Sequence, residues 1–451
     1  MKLKKNKLSF WHIWGLGVGS VVGDGIFLLV SQAAQTAGPS AALAYFIAGL
    51  LIMVVCMSIC ELAVAMPKAG SIYNWSKRVI SPGVGTLTGL CYVAMNVIFL
   101  GSVAIAAGSI TNSFFMIGSD PTISSTIWTI IILTVVLGIA LLGGEITGRA
   151  QLILVGVLVG IMVLFILLGL FSGKIDIANY SPFMPSGVKG IWTAMGMGIY
   201  AYLGPLSLLT AGDEVEDIKS FPKAMFWAFV TFLFIYTMGI LILVGLVNYT
   251  EYSSMESPFT YAASLIFGRF AGFIINLAAW IAAVTCLIGE IFSASRLISG
   301  MSEEKAVPDI FSKKDKKGNP WVGVLFAYLV AILIVVISNF KSLDNFYLTI
   351  CTLGSVAGAL NMTICLTSSY LYKKRYPKEW ENICWHMPFR KIMYPIAFIG
   401  CGMLFIALYA SSIEAIIPSI IFVVSILLFY KFYSANRICN DKKSENIKLQ
   451  K

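Results

Sequence analysis

Long apolar segments, separated by short polar stretches, recur along the whole chain of 451 residues. A helix needs about 20 apolar residues to cross the hydrocarbon core of a bilayer, and windows of that length recur here. The pattern predicts an all-α integral membrane protein with twelve transmembrane helices. Their predicted positions are residues 10–36, 40–66, 84–114, 123–143, 149–172, 190–211, 222–248, 269–300, 321–338, 344–372, 390–410 and 412–433.

Two of these segments contain residues that weaken a helix. The first, GVGSVVGDGIF from Gly17 to Phe27, holds four glycines and the carboxylate of Asp24. Each interior glycine weakens a helix by about 1 kcal/mol relative to alanine, and an acid at mid-membrane depth costs about 2.5–3.5 kcal/mol. The second, from Ala194 to Gly212, holds Pro205 among several glycines. Irregular backbone at membrane depth is tolerated where it lines a cavity, so we expect a substrate site at these two breaks.

The two interrupted segments are five predicted helices apart, which indicates a repeated architecture. Residues 10–172 would form a first five-helix repeat, and residues 190–372 a second one of opposite topology. Residues 390–433 would add helices 11 and 12, and residues 1–9 and 434–451 are expected to be cytoplasmic tails. The hypothesis is a five-plus-five inverted repeat with discontinuous helices 1 and 6.

Composition and charge agree with a membrane protein and predict its orientation. Hydrophobic residues make up 58% of the chain and charged residues 12%, whereas soluble chains carry about 25% charge. With both termini inside, all but four of the 32 Lys and Arg lie on the cytoplasmic side, as the positive-inside rule requires. We therefore expect a multi-pass plasma membrane protein with cytoplasmic termini. The net charge of +10 is explained by topology and indicates no nucleic-acid partner.

Residues that carry chemistry are few. Two histidines and nine scattered cysteines, with neither CxxC nor HExxH, predict no metal site and no cofactor. The sequence also lacks a nucleophile or paired-base motif of the kind that enzymes use, so we expect no enzymatic activity.

Five motifs occur in order along nearly the whole chain. They are GVGSVVGDGIF; ELAVAMPKAGSIYNW; GIYAYLGP with the trailing DEVEDIKSFPKA; SPF at 257–259; and SASRLISGMSEEKAVP. Together they resemble the motifs of the amino acid, polyamine and organocation permeases. The resemblance implies a bacterial amino acid transporter with a fold of the leucine-transporter kind. It also implies alternating access and secondary transport of amino acids or amines.

The resemblance further implies the residues of a substrate site. In that family, backbone amides at the first break bind the substrate carboxylate, and carbonyls of both breaks bind its amino group, which agrees with the charge at helix ends. By position, the substrate-binding residues would be Ser20, Val21, Gly23, Asp24, Gly25, Tyr200, Ala201, Tyr202 and Leu203. Tyr200 would close over the substrate as a gate. Glu61 and Glu214 match acids that hold loops or close the inner gate, with Arg296 as a partner for one of them.

Three departures from the family pattern concern the substrate and the coupling ion. Asp24 stands where most relatives have Ser or Thr, Leu158 replaces a lysine of many relatives, and Glu290 stands where small or hydroxyl residues are usual. In one interpretation, burial and the nearby acid keep Asp24 protonated, and Asp24 and Glu290 carry a coupling proton. In a second, the Asp24 carboxylate fills the anion site, and the substrate is an amine, polyamine or basic amino acid. In a third, Asp24 only caps the second half-helix.

The leading hypothesis is an amino acid permease or exchanger in the lipid bilayer, driven by protons or by exchange. The alternative is an antiporter of amines or cationic amino acids that uses Asp24 as its cation site. Sodium coupling through carboxylates and the hydroxyls of Ser293 and Ser295 is a further alternative. A membrane ligand sensor could use the same fold and site, but we expect such a protein to carry a soluble signalling module, which neither tail provides.

Overall fold

The computed structural model describes residues 9–22, 27, 29–67, 71–142, 144–209, 215–255, 257–316, 318–339, 346–411 and 413–438. They fold into α-helices joined by short turns and loops. The helices are α1 (Phe10–Val21), α2 (Val30–Ala37), α3 (Ala41–Ala65), α4 (Ser71–Val79), α5 (Pro82–Phe114), α6 (Pro121–Leu142), α7 (Gly144–Phe171), α8 (Gly187–Ala201), α9 (Leu206–Leu209), α10 (Phe221–Leu246), α11 (Pro258–Phe267), α12 (Arg269–Glu303), α13 (Trp321–Ser338), α14 (Phe346–Arg375), α15 (Pro377–Glu381), α16 (Arg390–Ser411) and α17 (Ile416–Phe429).

Most of the predicted spans appear as long apolar helices. In the described residues, 10 helical runs are long and apolar enough to cross a membrane, by length and composition. The two segments predicted to be interrupted are divided: α1 and α2 cover the first, and α8 and α9 cover the second. The glycine-rich stretches therefore mark helix breaks as predicted, whereas twelve crossings and the inverted repeat stay predictions.

A three-residue turn joins α2 to α3. Gly38 follows α2 with a φ of 60°, in the left-handed region that favours glycine, and Pro39 comes next. A Cβ at residue 38 would also lie 2.8 Å from Pro185, in the loop before α8. This short turn connects α2 directly to α3 within the continuous helical run Val30–Ala65.

The two longest helices, α5 and α12, lie side by side in the core. Gly89 allows their close approach, since a Cβ there would lie 2.5 Å from the sulfur of Met301. α1 packs against α7, α10 and α12, while α8 packs against α3 and α16. This packing places the ends of α1 and α8 inside the bundle.

Ion pairs gather at the face of the bundle where α3 and α12 end. Lys77 of α4 lies 2.5 Å from Glu304, directly after α12. Arg78 of α4 lies 2.7 Å from Glu379 of α15. The short helix α4 therefore connects the segments that follow α12 and α14 at this face.

Candidate functional site

The ends of α1 and α8 meet inside the bundle. α1 ends at Val21 and α8 at Ala201, and both residues are buried. Ser20 Oγ lies 3.1 Å from the carbonyl oxygen of Gly204 and 3.2 Å from that of Gly17, so it can donate to either. A helix C-terminus carries about half a negative charge and unpaired carbonyls. Two such ends together favour a cationic group between them.

Gly204 touches the backbone of α1 directly. A Cβ at residue 204 would lie 2.0 Å from the carbonyl oxygen of Ser20 and 2.8 Å from the amide nitrogen of Val21. Real Cβ atoms do not approach other heavy atoms within 3.0 Å, so only glycine fits here without a backbone shift. The two helix breaks are thus in contact, backbone against backbone.

Two of the predicted site residues form the N-terminal flank of the first break. Ser20 and Val21 lie at the end of α1, and the Tyr236 hydroxyl of α10 donates to the carbonyl oxygen of Val21 at 3.0 Å. The predicted site residues that lie outside the described part of the chain are Gly23, Asp24, Gly25 and Glu214.

Tyr200 reaches from the end of α8 to α5. Its hydroxyl oxygen lies 2.9 Å from Ser102 Oγ, and its ring centroid lies 4.5 Å from that of Phe99. The residue is 7% exposed. Tyr200 therefore links two helices beside the break, through one polar and one aromatic contact.

The neighbours of Tyr200 in the second break point toward other helices. The ring centroid of Tyr202 lies 5.0 Å from that of Tyr236 and 5.6 Å from that of Phe232, both in α10. Leu203 lies against Gly358 of α14. A Cβ at Gly358 would be 2.9 Å from Cδ1 of Leu203. The backbone of Tyr202 thus lies in the second break, and its side chain packs in the core against α10.

α12 packs against the end of α1. Cys286 Sγ lies 3.8 Å from the carbonyl oxygen of Ser20, and a Cβ at Gly289 would lie 3.4 Å from Ser20 Cβ. Glu290 follows Gly289 directly and is 1% exposed. A carboxyl group is therefore buried one residue away from the contact with the first break.

α7 also reaches the first break, through a residue that sequence reasoning did not single out. Gln151 is buried, and its Nε2 donates to the carbonyl oxygen of Thr285 in α12 at 3.0 Å. A Cβ at Gly19 would lie 2.5 Å from this nitrogen. The side-chain amide of Gln151 therefore packs against α1 at Gly19, which has no side chain. Among the described residues, Gln151 Oε1 accepts no hydrogen bond. The sequence held one signal for this contact, because Gln151 is a lone amide in an apolar segment. Such side chains often form a hydrogen bond with another helix.

Glu61, near the end of α3, is surrounded by donors. Arg390 Nη1 lies 2.8 Å from Oε2, Tyr394 OH donates to the same oxygen at 2.8 Å, and the Met387 N–H donates to Oε1 at 2.8 Å. Trp380 Nε1 adds a longer contact to Oε2 at 3.4 Å. This ionic cluster, formed by Glu61, Arg390, Tyr394, Met387 and Trp380, ties α3 to α16 and to the loop before it.

Arg296 is expected to pair with Glu61 or with Glu214, and this stays a prediction because Glu214 lies outside the described residues. The Arg296 guanidinium carbon lies 3.5 Å from the ring centroid of Phe292, one turn earlier in α12. The partner of Glu61 is Arg390, which follows it by more than 300 positions in the chain. The segment around Arg390 carries none of the five motifs, so the pair could not be predicted from them.

Comparisons with known proteins identify the family of this chain. The sequence profile of the amino acid permease family matches residues 12–440. A protein named uncharacterized amino acid permease YtnA, from Bacillus subtilis, is 26% identical over 440 residues, which cover 93% of each chain. The branched-chain amino acid permease BcaP of Lactococcus lactis is 26% identical over 416 residues, 86% of this chain and 87% of the relative. The lysine-specific permease LysP of the same species is 25% identical over 415 residues, 87% of this chain and 80% of the relative.

The match over almost the whole chain, together with the many apolar helices, leads to one conclusion. The chain belongs to the amino acid permease family and is a multi-pass membrane transporter, not an enzyme.

Proposed function

We propose that this permease carries amino acids across the plasma membrane by alternating access, as a secondary active transporter with cytoplasmic termini. The observation that supports the proposal most is the contact between the two helix breaks at Ser20 and Gly204, where two helix C-termini converge. Their carbonyl groups suit the ammonium group that all α-amino acids carry. The relatives named for branched-chain amino acids and for lysine have substrates that share this group and differ in the side chain.

In this proposal, backbone groups of the two breaks bind the common part of the substrate. The amide groups of the first break would bind its carboxylate, and carbonyls of both breaks would bind its ammonium group. The residues proposed for this role are Ser20, Val21, Gly23, Asp24, Gly25, Tyr200, Ala201, Tyr202 and Leu203.

We propose Tyr200 as the gate on the extracellular side of the substrate. Its contacts with Ser102 and Phe99 join α8 to α5, and separating these two helices requires that both contacts break. A side chain that is 7% exposed and held by two contacts is suited to an occluding position.

Tyr200→Phe is expected to change transport far less than Tyr200→Ala. The phenylalanine keeps the ring on Phe99 and loses the contact with Ser102, worth about 0.5–1.5 kcal/mol, so KM for uptake should change about two- to tenfold. The alanine removes both contacts and should reduce uptake more strongly. Ser102→Ala should match Tyr200→Phe, and combining these two should add nothing, because both remove one hydrogen bond. Full additivity of the pair in uptake kinetics would contradict the gate contact.

Coupling is proposed to depend on Asp24 and Glu290. Glu290 is 1% exposed and adjoins the contact of Gly289 with Ser20, so its charge state affects the field at the break. If the two carboxyl groups exchange a proton between the two sides, uptake of amino acids follows the proton gradient. The same buried acid, beside two helix C-termini, also favours the second candidate, exchange of amines or cationic amino acids.

The experiment is uptake of radiolabelled amino acids and amines by purified protein in liposomes, with and without an inward proton gradient. The variants are Asp24→Asn and Glu290→Gln, and Glu414→Gln, an exposed acid in the turn between α16 and α17, is the matched control. We expect the gradient to stimulate amino acid uptake by the wild type and by the control. Both site variants should lose this stimulation while they still exchange substrate across the membrane.

Each outcome separates the candidates. Uptake of amines alone, abolished by Asp24→Asn, would support the cation antiporter and contradict amino acid uptake. Binding of an amino acid without flux in any condition would contradict transport and favour a sensor. Stimulation that survives in both variants would contradict the role of the two acids in coupling.

A further inference from the structure

α11 and α12 form a rigid hairpin. Gly268 joins them with a φ of 73°, in the left-handed region that favours glycine. Thr260 Oγ1 donates to Asn276 Oδ1, which fastens α11 to the first turns of α12. A Cβ at Gly272 would lie 3.2 Å from the carbonyl oxygen of Thr260, so the two helices are in close contact. The hairpin therefore holds α11 in a fixed position relative to α12.

This hairpin contacts both flanks of the first helix break. Its α12 arm touches the N-terminal flank, where Cys286 and Gly289 lie against Ser20. Its α11 arm touches the C-terminal flank, where the ring centroid of Phe259 lies 5.6 Å from that of Phe27 at an interplanar angle of 68°. One hairpin thus contacts Ser20, the first of the substrate-binding residues proposed at this break, and Phe27, which follows the last of them.

Phe259 is the phenylalanine of the SPF motif, to which the proposed transport cycle gives no role. Pro258 occupies the first turn of α11, and Phe259 follows it. The ring of Phe259 also lies 5.6 Å from that of Phe165 in α7, centroid to centroid. Phe259 is 0% exposed, and the Phe27 and Phe165 rings are buried beside it. Three elements are therefore joined by one aromatic cluster, Phe27, Phe165 and Phe259.

The aromatic cluster lies between the break and the bundle face where α12 begins. Thr260 bonds to Asn276, so Phe259 lies near the level of Asn276 along α12. Cys286 is ten residues further along α12, a distance of about 15 Å at 1.5 Å per residue. Along α12, Phe259 therefore lies between the level of Cys286 and the face where α12 begins.

We propose that Phe259 is a positioning residue for the substrate site. It holds the Phe27 flank of the break, while Cys286 and Gly289 hold the Ser20 flank, and it closes the site toward the face where α12 begins. Loss of the ring lets the Phe27 flank move, which weakens substrate binding and opens a path to Cys286. This inference rests on the proposed transport function, because it assigns the break as the binding site.

The test uses Cys286 as a native reporter in intact cells that express the full chain. Cys384, which is exposed, is replaced by serine, and a membrane-impermeant maleimide is applied from outside. Mass spectrometry measures the labelling rate of Cys286, and uptake kinetics are measured in the same cells. The variants are Phe259→Ala, Phe259→Leu as the conservative replacement, and Phe267→Ala, an exposed phenylalanine of α11, as the matched control.

Phe259→Ala should label at Cys286 about tenfold faster, the factor expected when two aromatic contacts are lost. Its KM for uptake should rise by a similar factor, with little change in the maximal rate. Phe259→Leu fills most of the same volume and should recover much of both values, and Phe267→Ala should behave as the wild type. The leucine variant still gives both readouts if the alanine variant does not fold.

Unchanged labelling and KM in a folded Phe259→Ala protein would overturn the proposal. A lower maximal rate with wild-type KM and labelling would also overturn it, because a merely structural role predicts that result. If the wild type shows no uptake but Phe259→Ala labels faster, the proposed transport fails while the position of Phe259 over the break is supported.

Discussion

Replacing Gly204 by alanine is expected to abolish transport. The added Cβ would lie 2.0 Å from the Ser20 carbonyl oxygen, and both groups belong to backbone that cannot rotate away. The breaks must then separate by an ångström or more, and a misplacement of about 1 Å at a functional site can reduce its rate about 100-fold. Uptake in liposomes should therefore fall about 100-fold or more, since the Ser20 Oγ contact with Gly204 is lost as well.

The matched control is Gly402→Ala in α16, where a Cβ would meet no atom within 4 Å. This variant should transport as the wild type does, and thermal unfolding of both purified variants shows whether Gly204→Ala is folded. A folded Gly204→Ala protein with normal uptake would mean that the two breaks need not touch during transport.

Replacing Glu61 by alanine is expected to destabilise the protein severely. The carboxylate is 1% exposed and accepts bonds from Arg390, Tyr394 and the Met387 N–H. Breaking a buried ion pair from one side costs about 3–5 kcal/mol. Because Arg390 is 15% exposed and can reach some water, we expect the lower end, about 3 kcal/mol in the free energy of unfolding. Chemical denaturation in detergent micelles measures this value.

An exposed ion pair at the same face supplies the control. Lys314 and Glu303, whose charged atoms lie 2.6 Å apart, are 44% and 48% exposed, and such pairs contribute about 0–1 kcal/mol, so Lys314→Ala should change stability little. The double variant Glu61→Gln with Arg390→Gln should be more stable than Glu61→Ala, since no buried charge is left without a partner. Equal losses for Glu61→Ala and Lys314→Ala would contradict the special role of the ionic cluster.

The broken helices could be predicted from the sequence because their cause is local. Glycines and Asp24 in the first apolar segment, and Pro205 in the second, act on the backbone within one or two turns. In the structure α1 ends at Val21 and α8 at Ala201, shortly before Asp24 and Pro205 in the sequence. The family could likewise be inferred from ordered motifs, which the match over residues 12–440 confirms.

The contacts between distant segments could not be predicted in the same way. Arg390 pairs with Glu61, Gln151 bonds to Thr285, and Phe259 packs on Phe27. Each contact joins residues more than 100 positions apart in the chain, so it depends on how the helices pack and not on local pattern. The polar residues among them were visible as lone polar groups near or within apolar helices, but their partners were not.

The tight turn at Gly38 connects the proposed substrate site, through the chain, to the opposite end of α3. Since only three residues separate α2 from α3, a displacement of α2 beside the first break would also act on α3. Glu61 lies about 30 Å along α3 from that turn, at 1.5 Å per residue. Substrate affinity and the strength of the Glu61–Arg390 pair are then thermodynamically reciprocal: whatever factor binding at the break applies to the pair, the pair applies to binding. Charge or lipid acting on Arg390 would in this way tune the affinity for a substrate that it never touches.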